Sequence, residues 1–213
     1  MKRPVAVVLA AGKGERLGGP KALLAWPAAK GAPAGAPTER PLAIAHAEAR
    51  LAAECGRVLV IVRKPVFAVL LRYVLPGIDL IVSSAPDDLG PAGSLAVAAA
   101  RLAGEEELII TPVDVPPARA DTVAHLRARL CAGDPAPLAI RPRYDRRGGH
   151  PVVMRAEALA RYGEPAPPPL REHLRSLGAR TVDEDVNDAS VLLDLNTPVD
   201  VIRATGAPPR FIA

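Results

Sequence analysis

The chain has 213 residues, of which 49% are hydrophobic and only 3% aromatic, and its 27 basic and 23 acidic side chains leave a net charge of +4. This length suits a folded domain with a sizeable aliphatic core. The scattered aromatic residues argue against a nucleic-acid surface despite the positive charge, and no apolar stretch approaches the length of a membrane span. We therefore expect a cytoplasmic protein that binds a small anionic substrate, and neither nucleic acid nor membrane.

Short apolar runs alternate with amphipathic segments along the chain. The runs predict strands over 5–9, 57–62, 79–83, 108–111, 137–140, 152–154, 181–186 and 191–195. The segments between them predict helices over 42–54, 65–73, 94–102, 120–130, 157–162, 170–177 and 199–205. Alternating strands and helices indicate the α/β fold class. We expect a three-layer α/β/α sandwich with a Rossmann-like, mainly parallel mixed sheet, whose antiparallel portion lies after Arg141.

One segment interrupts this alternation. Residues 28–38 consist almost entirely of alanine, proline and glycine and can add little to a core. We therefore predict that residues 1–213 form a single domain with a Pro/Ala/Gly-rich loop insertion at about 27–40. A tolerated surface insertion is favoured over a lid.

The first predicted strand runs directly into a glycine-rich loop, in which residues 9–21 read Leu-Ala-Ala-Gly-Lys-Gly-Glu-Arg-Leu-Gly-Gly-Pro-Lys. Backbone N–H groups of glycines can close around phosphate oxygens, and Arg16 and Lys21 add positive charge. A Walker loop is excluded, because Lys21 comes one place late and no Ser or Thr follows it. A dinucleotide fingerprint fits poorly, because Leu17 occupies the third glycine position and Arg63 follows the second strand, where an acidic residue is expected.

A second glycine-containing segment, residues 90–95, reads Gly-Pro-Ala-Gly-Ser-Leu and opens a predicted helix. Free N–H groups and a hydroxyl at a helix start suit a nucleobase edge or a phosphate, so Gly90 and Ser94 are candidate nucleotide contacts. The structural alternative is that Ser94 only caps the helix.

Polar oxygens follow two later strands. Asp114 comes after the strand at 108–111, and ligands in open α/β sheets bind beyond the carboxyl ends of strands. A carboxylate there can hold Mg²⁺, although it could instead cap the next helix. Asn196 follows the predicted strand at 191–195, where Thr197 and Pro198 have the pattern of a helix entry.

A basic segment precedes the strand at 152–154. Four arginines and two glycines lie within residues 141–149 and could meet an acceptor phosphate or pterin, with a solvated basic loop as the alternative. His150 follows them and is the most specific of the four histidines. His46, His125 and His173 fall within predicted helices and have no expected role.

The glycine-rich loop matches the pattern Leu-Ala-Ala-Gly-x-Gly-x-Arg-(Leu/Met)-Gly-x-Pro-Lys at every fixed position. In this it resembles the MobA/MocA-like NTP transferases of GT-A-like fold, which include the molybdenum-cofactor guanylyl- and cytidylyltransferases. The resemblance implies catalytic roles for Arg16 and Lys21. Asp114 and Pro116 keep the spacing of the family's metal-binding aspartate and the proline after it, which implies a Mg²⁺ ligand at Asp114. Residues 191–200 are similar to the family's Asp-x-(Asp/Asn)-Thr-Pro-x-Asp motif, which implies a second Mg²⁺ ligand at Asn196. The implied nucleotide contacts are Leu9, Ala10, Ala11, Gly12, Gly14, Arg16, Lys21, Gly90 and Ser94, and the implied acceptor contacts are Gly149, His150 and Pro151.

The activity implied by this resemblance is Mg²⁺-dependent transfer of an NMP from CTP or GTP to a small phosphorylated acceptor, first of all molybdopterin, with release of pyrophosphate. A molybdoenzyme or its chaperone is implied as a partner. The alternatives are another small-phosphate or sugar-phosphate nucleotidyltransferase, and a non-catalytic nucleotide-binding regulatory protein.

Three properties stay open at this stage. The base is open because residues 90–95 resemble both the cytidylyl pattern Gly-x-x-x-Ser-Leu and a shortened guanylyl pattern. The acceptor is open because residues 166–174 replace the Gly-Asp-x-Gly-Ala segment of the cytidylyl branch. The oligomeric state is not specified by any motif.

Overall fold

The computed structural model describes residues 3–28, 38–102, 107–133 and 135–213. Its strands are β1 (Val5–Leu9), β2 (Ala25–Pro27), β3 (Glu39–Pro41), β4 (Arg57–Val62), β5 (Ile78–Val82), β6 (Glu107–Pro112), β7 (Ala139–Tyr144), β8 (Arg147–Gly148), β9 (Val152–Arg155) and β10 (Thr181–Asp185). Its α-helices are α1 (Leu42–Ala52), α2 (Lys64–Leu70), α3 (Gly90–Ala99), α4 (Ala120–Cys131), α5 (Leu170–Ser176) and α6 (Pro198–Thr205).

The central sheet has the strand order β10-β7-β9-β6-β1-β4-β5, and the short β8 pairs with β7. Strand β1 lies inside the sheet and is parallel to both of its neighbours, β4 and β6. In this pairing, Val5 is in register with Arg57 of β4 and with Leu108 of β6. Strand β9 is antiparallel to β6 and β7. The carboxyl ends of β1, β4, β5, β6 and β7 therefore meet at one edge of the sheet, together with the amino end of β9.

Helices cover both faces of the sheet. Buried side chains of α1, α2, α4 and α6 pack on one face, and those of α3, α5 and the 3-10 segment Ala156–Gly163 pack on the other. Along β1, Ala6 and Val8 point into the first core while Val5 and Val7 point into the second. Burial on both faces explains why β1 is apolar throughout. The predicted three-layer sandwich with a mainly parallel mixed sheet is confirmed.

The predicted strand at 191–195 is wrong. Residues Ala189–Leu192 form a 3-10 turn, and the chain from Leu193 onward belongs to no strand. Backbone groups of this segment make single hydrogen bonds to other segments in place of a strand ladder. The Val191 carbonyl accepts from the His150 N–H at 3.0 Å, and the Leu195 N–H donates to the Asp114 carbonyl at 2.7 Å. An apolar run without a neighbouring strand edge cannot form a ladder.

Two further predictions need correction. Helix α3 begins at Gly90, so Ser94 lies inside it, 3% exposed, and does not cap it. Strand β7 continues through Arg141 to Tyr144, so the first part of the predicted basic loop is strand.

The flanks of the predicted insertion form a separate two-stranded sheet, in which β2 is antiparallel to β3. Residues 29–37 of that insertion lie outside the described residues, and the single-domain organisation stays a prediction. No helix in the described ranges is both long and apolar enough to cross a membrane.

Two buried polar side chains on α1 fasten the segment that follows β6. His46 Nε2 donates to the Val115 carbonyl at 2.8 Å, and Arg50 Nη2 donates to the Ala118 carbonyl at 2.5 Å. Both side chains are fully buried. Burial and, to a lesser extent, the nearby charge of Arg50 lower the pKa of His46 to about 3, although the hydrogen bond to Val115 acts in the opposite direction.

This burial predicts acid-sensitive stability. Between pH 6.5 and about pH 3 the unfolded chain protonates His46 and the folded chain does not, so the free energy of unfolding falls with falling pH. Between pH 7 and pH 5, His46 accounts for a fall of about 2 kcal/mol in the free energy of unfolding. His46→Gln keeps an N–H for Val115 and does not titrate, so its urea-unfolding free energy should fall by that much less over this range. His125→Gln, at an exposed position of α4, is the control. Parallel curves for wild type and His46→Gln would contradict the assignment.

Candidate active site

A cleft of about 490 Å³ opens at the edge of the sheet where the carboxyl ends of β1, β4, β5 and β6 meet. This size lies in the range of small-ligand sites. Of the residues predicted from sequence, the following line it together: Leu9, Ala11, Gly12, Gly14, Arg16, Lys21, Gly90, Ser94, Asp114 and Asn196. Ala10 does not line the cleft. Its N–H donates to the Ile61 carbonyl at 2.8 Å and prolongs the pairing of β1 with β4.

The glycine-rich loop folds back on itself at Gly14. The Gly14 carbonyl accepts from the N–H groups of Leu17 and Gly19 at 2.9 and 3.3 Å. Gly14 has φ +69°, and a Cβ placed on it would lie 1.9 Å from the Gly19 carbonyl oxygen. Gly12 has no described atom within 4 Å of such a Cβ, so its backbone is open to the cleft. The loop is therefore fixed at its Gly14 turn, while its backbone stays uncovered at Gly12.

Lys21 joins the two predicted metal-binding side chains. Its Nζ lies 2.6 Å from Asn196 Oδ1 and 3.3 Å from Asp114 Oδ2, and the lysine side chain is only 14% exposed. Three predicted site residues that are far apart in sequence thus meet at one ammonium group. Arg16, in contrast, lines the cleft as an exposed residue and has no hydrogen bond or ion pair among the described residues.

The backbone holds these groups in place as well. The Leu195 N–H donates to the Asp114 carbonyl and ties the segment before α6 to the end of β6. Thr197 caps α6 and forms a capping box with Asp200, as the helix-entry pattern predicted. The Asn196 N–H donates to the same Asp200 carboxylate at 3.2 Å. Asn196 is therefore fixed by both the cap and the neighbouring strand end.

The chemistry of this donor set suits a hard divalent cation. A carboxylate and an amide oxygen are ligands that Mg²⁺ binds, and Mg²⁺ usually takes only one or two carboxylates together with substrate phosphates. In the described part of the chain, no group of three or more His, Cys, Asp or Glu residues could hold a metal alone. Asp114 and Asn196 fit a cation that phosphate oxygens help to hold.

A charged group that no sequence motif predicted lies at the other end of the cleft. Arg63, directly after β4, donates to the Ala11 carbonyl at 2.6 Å and also to Asp87. Lys13 Nζ lies 3.1 Å from the same Asp87 carboxylate. Hydrogen bonds from Arg63 and then from Lys13 hold the pKa of Asp87 below its ordinary value. Arg63 directly follows a strand, which is the same pattern that identified Asp114. The sequence could therefore have indicated Arg63 as a residue of the cleft.

The predicted acceptor segment lies at the same sheet edge but outside the cleft lining. The backbone of Gly149 lies directly against Val191, since a Cβ placed on Gly149 would be only 2.1 Å from the Val191 carbonyl oxygen. The Nδ1 atom of His150 is buried without a described partner. Burial lowers the pKa of His150, and the carboxylates of Asp114 and Asp194 act in the opposite direction. His150 therefore lies within the electrostatic reach of the Lys21–Asp114–Asn196 group.

Two of the four arginines in the basic segment have partners in the sheet. Arg141 binds Asp183 through two hydrogen bonds of 2.7 and 2.8 Å, and Arg143 binds Asp185 in the same way. These side chains pair β7 with β10, so they are not free for an acceptor phosphate. Arg146 lies exposed in the turn before β8, and Arg147, the first residue of β8, is exposed as well.

Known structures share this fold. Rv0371c from Mycobacterium tuberculosis H37Rv is 23% identical and aligns over 97% of this chain and 98% of its own, with a TM-score of 0.76; it has also been solved in complex with manganese. Molybdopterin-guanine dinucleotide biosynthesis protein A from Archaeoglobus fulgidus is 17% identical, with 97% of each chain covered and a TM-score of 0.64. 4-Diphosphocytidyl-2C-methyl-D-erythritol synthase from Anaerococcus prevotii is 13% identical over 96% of this chain and 95% of its own, with a TM-score of 0.67.

These identities establish the fold alone. No significant match was found among curated proteins. The family model of the MobA-like NTP transferase domain, however, matches residues 6–189, which is most of the chain and includes the glycine-rich loop and Asp114. The chain belongs to the MobA-like NTP transferase family and is a nucleotidyltransferase.

Proposed function

We propose that the chain transfers an NMP from CTP or GTP to a small phosphorylated acceptor, with molybdopterin as the first candidate, in a Mg²⁺-dependent reaction that releases pyrophosphate. The observation that carries this proposal is the meeting of Lys21, Asp114 and Asn196 at the mouth of the glycine-rich loop. Nucleotidyl transfer requires a phosphate cradle, two oxygen ligands and a fixed positive charge at one point, and the partly buried Lys21 ammonium group would supply that charge.

The reaction needs no strong base in this cleft. An acceptor phosphate is already largely ionised at neutral pH, so its oxygen can attack the α-phosphorus without losing a proton. A new P–O bond forms to the α-phosphorus, and the bond from that phosphorus to the oxygen shared with the β-phosphate breaks. The electron pair leaves with pyrophosphate. Positioning and charge neutralisation then account for catalysis.

The side chains of the cleft supply both. An ammonium group has three N–H donors, and Lys21 uses two of them on Asp114 and Asn196, so one remains for a phosphate oxygen. Arg16 offers a planar guanidinium without a described partner. Asp114 and Asn196 would hold Mg²⁺, which supplies further charge neutralisation at the phosphate oxygens when bound.

A sugar phosphate is the second candidate acceptor. The erythritol synthase of Anaerococcus prevotii shares the fold as well as the molybdopterin protein does, with TM-scores of 0.67 and 0.64. The segment at 166–174 also departs from the cytidylyl pattern of molybdenum-cofactor enzymes. The Gly149–Pro151 segment, at the amino end of β9 beside β6, is proposed to contact either acceptor.

The proposal is tested by combining each of the four NTPs with molybdopterin or a panel of sugar phosphates, in the presence of Mg²⁺, and by measuring pyrophosphate. We expect release with CTP or GTP and one acceptor class. Tight NTP binding without pyrophosphate in any combination would contradict the proposed acceptors. A molybdoenzyme or its chaperone as product recipient is tested separately, by transfer of the product to the apoenzyme.

Loss of Lys21 or Asp114 should remove turnover without unfolding the protein. Lys21→Ala leaves Asp114 and Asn196 without their shared donor, and we expect a loss of roughly 10²–10³-fold in kcat for either variant. Circular dichroism and the unfolding midpoint check the fold. Lys64→Ala, at an exposed lysine on α2 that does not line the cleft, is the matched control. Pyrophosphate release that survives Asp114→Ala would overturn its assignment as a metal ligand.

Metal removal gives an independent test. Excess EDTA should abolish turnover, and Mg²⁺ or Mn²⁺ should restore it. Asp114→Asn keeps the shape of the side chain but loses its charge, so we expect it to need at least about tenfold more Mg²⁺ for half-maximal rate. Full activity of the wild type in EDTA, or an unchanged Mg²⁺ requirement of Asp114→Asn, would contradict the proposed metal dependence.

The two glycines of the loop should respond differently to alanine. Gly14→Ala forces a left-handed backbone on an L-residue and directs its Cβ onto Gly19, so both stability and NTP affinity should fall, the first by at least about 1–2 kcal/mol. Gly12→Ala meets no described atom, so stability should be unchanged while a methyl group obstructs the phosphate. Chemical denaturation and calorimetric NTP titration measure the two effects. Equal NTP affinity of Gly12→Ala and wild type would contradict the cradle.

A further inference from the structure

The segment after α6 returns to the glycine-rich loop. Helix α6 ends at Thr205, with Gly206 as its C-cap, and the chain then reaches residues 23–25, which begin two positions after Lys21. The Ala25 N–H donates to the Arg210 carbonyl at 2.8 Å, and the Ile212 N–H donates to the Leu23 carbonyl at 2.9 Å. Phe211 and Leu24 form an isolated antiparallel bridge between these bonds. We call residues 210–212 the C-terminal segment; they lie beyond the family match, which ends at residue 189.

The Phe211 ring covers the backbone of Gly19. A Cβ placed on Gly19 would lie 3.1 Å from three atoms of the ring, Cε1, Cε2 and Cζ, so the ring occupies the space where a side chain would stand. Phe211 also packs against the first hydrophobic core. The half-buried ring therefore joins the loop to the core at a residue that has no side chain of its own.

Gly19 is the residue that fixes the turn of the loop. Its N–H donates to the Gly14 carbonyl, and its own carbonyl lies where a Cβ of Gly14 would be. On the other side, the Leu24 N–H donates to the Lys21 carbonyl at 3.1 Å, next to the bridge with Phe211. The C-terminal segment therefore contacts the loop on both sides of Pro20 and Lys21.

We propose that Phe211 is a positioning residue for NTP binding, which holds Gly19 and, through it, the Gly14 turn and Lys21 in the shape that a triphosphate needs. The proposal rests on the proposed function, because it takes the loop to be the triphosphate site. Three glycines within residues 14–19 give this loop more backbone freedom than a loop of the same length without glycines would have. The ring removes part of that freedom before the ligand arrives, so its contribution is expected in affinity rather than in the chemical step.

Phe211→Ala is the principal variant, and Val199→Ala, at a 62% exposed apolar position of α6, is the matched control. We expect Phe211→Ala to weaken binding of CTP or GTP about tenfold by calorimetry and to raise KM by the same factor, with kcat within about threefold of wild type. Phe211→Tyr, which keeps the ring, should restore the affinity. If Phe211→Ala does not fold, Phe211→Leu carries the same comparison. Unchanged affinity in a folded Phe211→Ala or Phe211→Leu variant would overturn the proposal.

A double-mutant cycle with Gly19 separates positioning from simple packing. Gly19→Ala puts its methyl group against the ring, so alone it should weaken NTP binding about fivefold. In the Phe211→Ala background the space is open, and the same substitution should then cost nothing further. Additive effects of the two substitutions on affinity would overturn the coupling between ring and loop.

Hydrogen exchange tests the same idea without nucleotide. Backbone amides of residues 18–24 should exchange at least about fivefold faster in Phe211→Ala, and at the wild-type rate in Val199→Ala. If the wild type binds no NTP, the proposed function fails, while exchange still decides whether Phe211 orders the loop. Unchanged exchange in Phe211→Ala would contradict the inference even if every activity assay succeeds.

Discussion

The contact between the Lys21 ammonium, the Asp114 carboxylate and the Asn196 amide oxygen is the constraint on which the rest of the site depends. It joins three segments separated by 93 and 175 residues in sequence. A lysine that is only 14% exposed needs such partners, because an unpaired charge at this depth would be costly. The contact also sets the distance between the glycine-rich loop, the end of β6 and the start of α6. The glycine-rich loop and the proposed metal ligands therefore form one unit.

The parallel sheet makes this contact possible. Because β1 and β6 are adjacent and parallel, with Val5 in register with Leu108, the loop after β1 and Asp114 after β6 begin at the same edge. The third partner arrives differently, since Asn196 follows no strand. Its segment is fastened by the Leu195–Asp114 backbone bond and by the capping box of α6. Two partners are thus placed by topology and one by local hydrogen bonds.

This difference explains which features the sequence could predict. The bounds of β1 and β4 agree with their apolar runs, because both strands are buried on two faces. The run at 191–195 is also mainly apolar but has no strand edge to pair with, and no local pattern reveals this difference. Arg141 and Arg143 are similar: their pairing with Asp183 and Asp185 depends on the register of β7 against β10, so their charge alone suggested an anion site. Phe211 carries no motif, and only the path of the chain brings it to Gly19.

The two ends of the cleft differ in how firmly they are held. The Lys21 end is partly buried and is fastened to the end of β6, to the start of α6 and to the C-terminal segment. At the other end, Lys13 and Asp87 are both more than half exposed, and an exposed ion pair of this kind contributes little to stability. All NTPs share the triphosphate, whereas bases differ in their edges. A rigid end suits the group that all NTPs share, whereas the end at Asp87 and the start of α3 is held by exposed ion pairs of Asp87 with Lys13 and Arg63, which can rearrange.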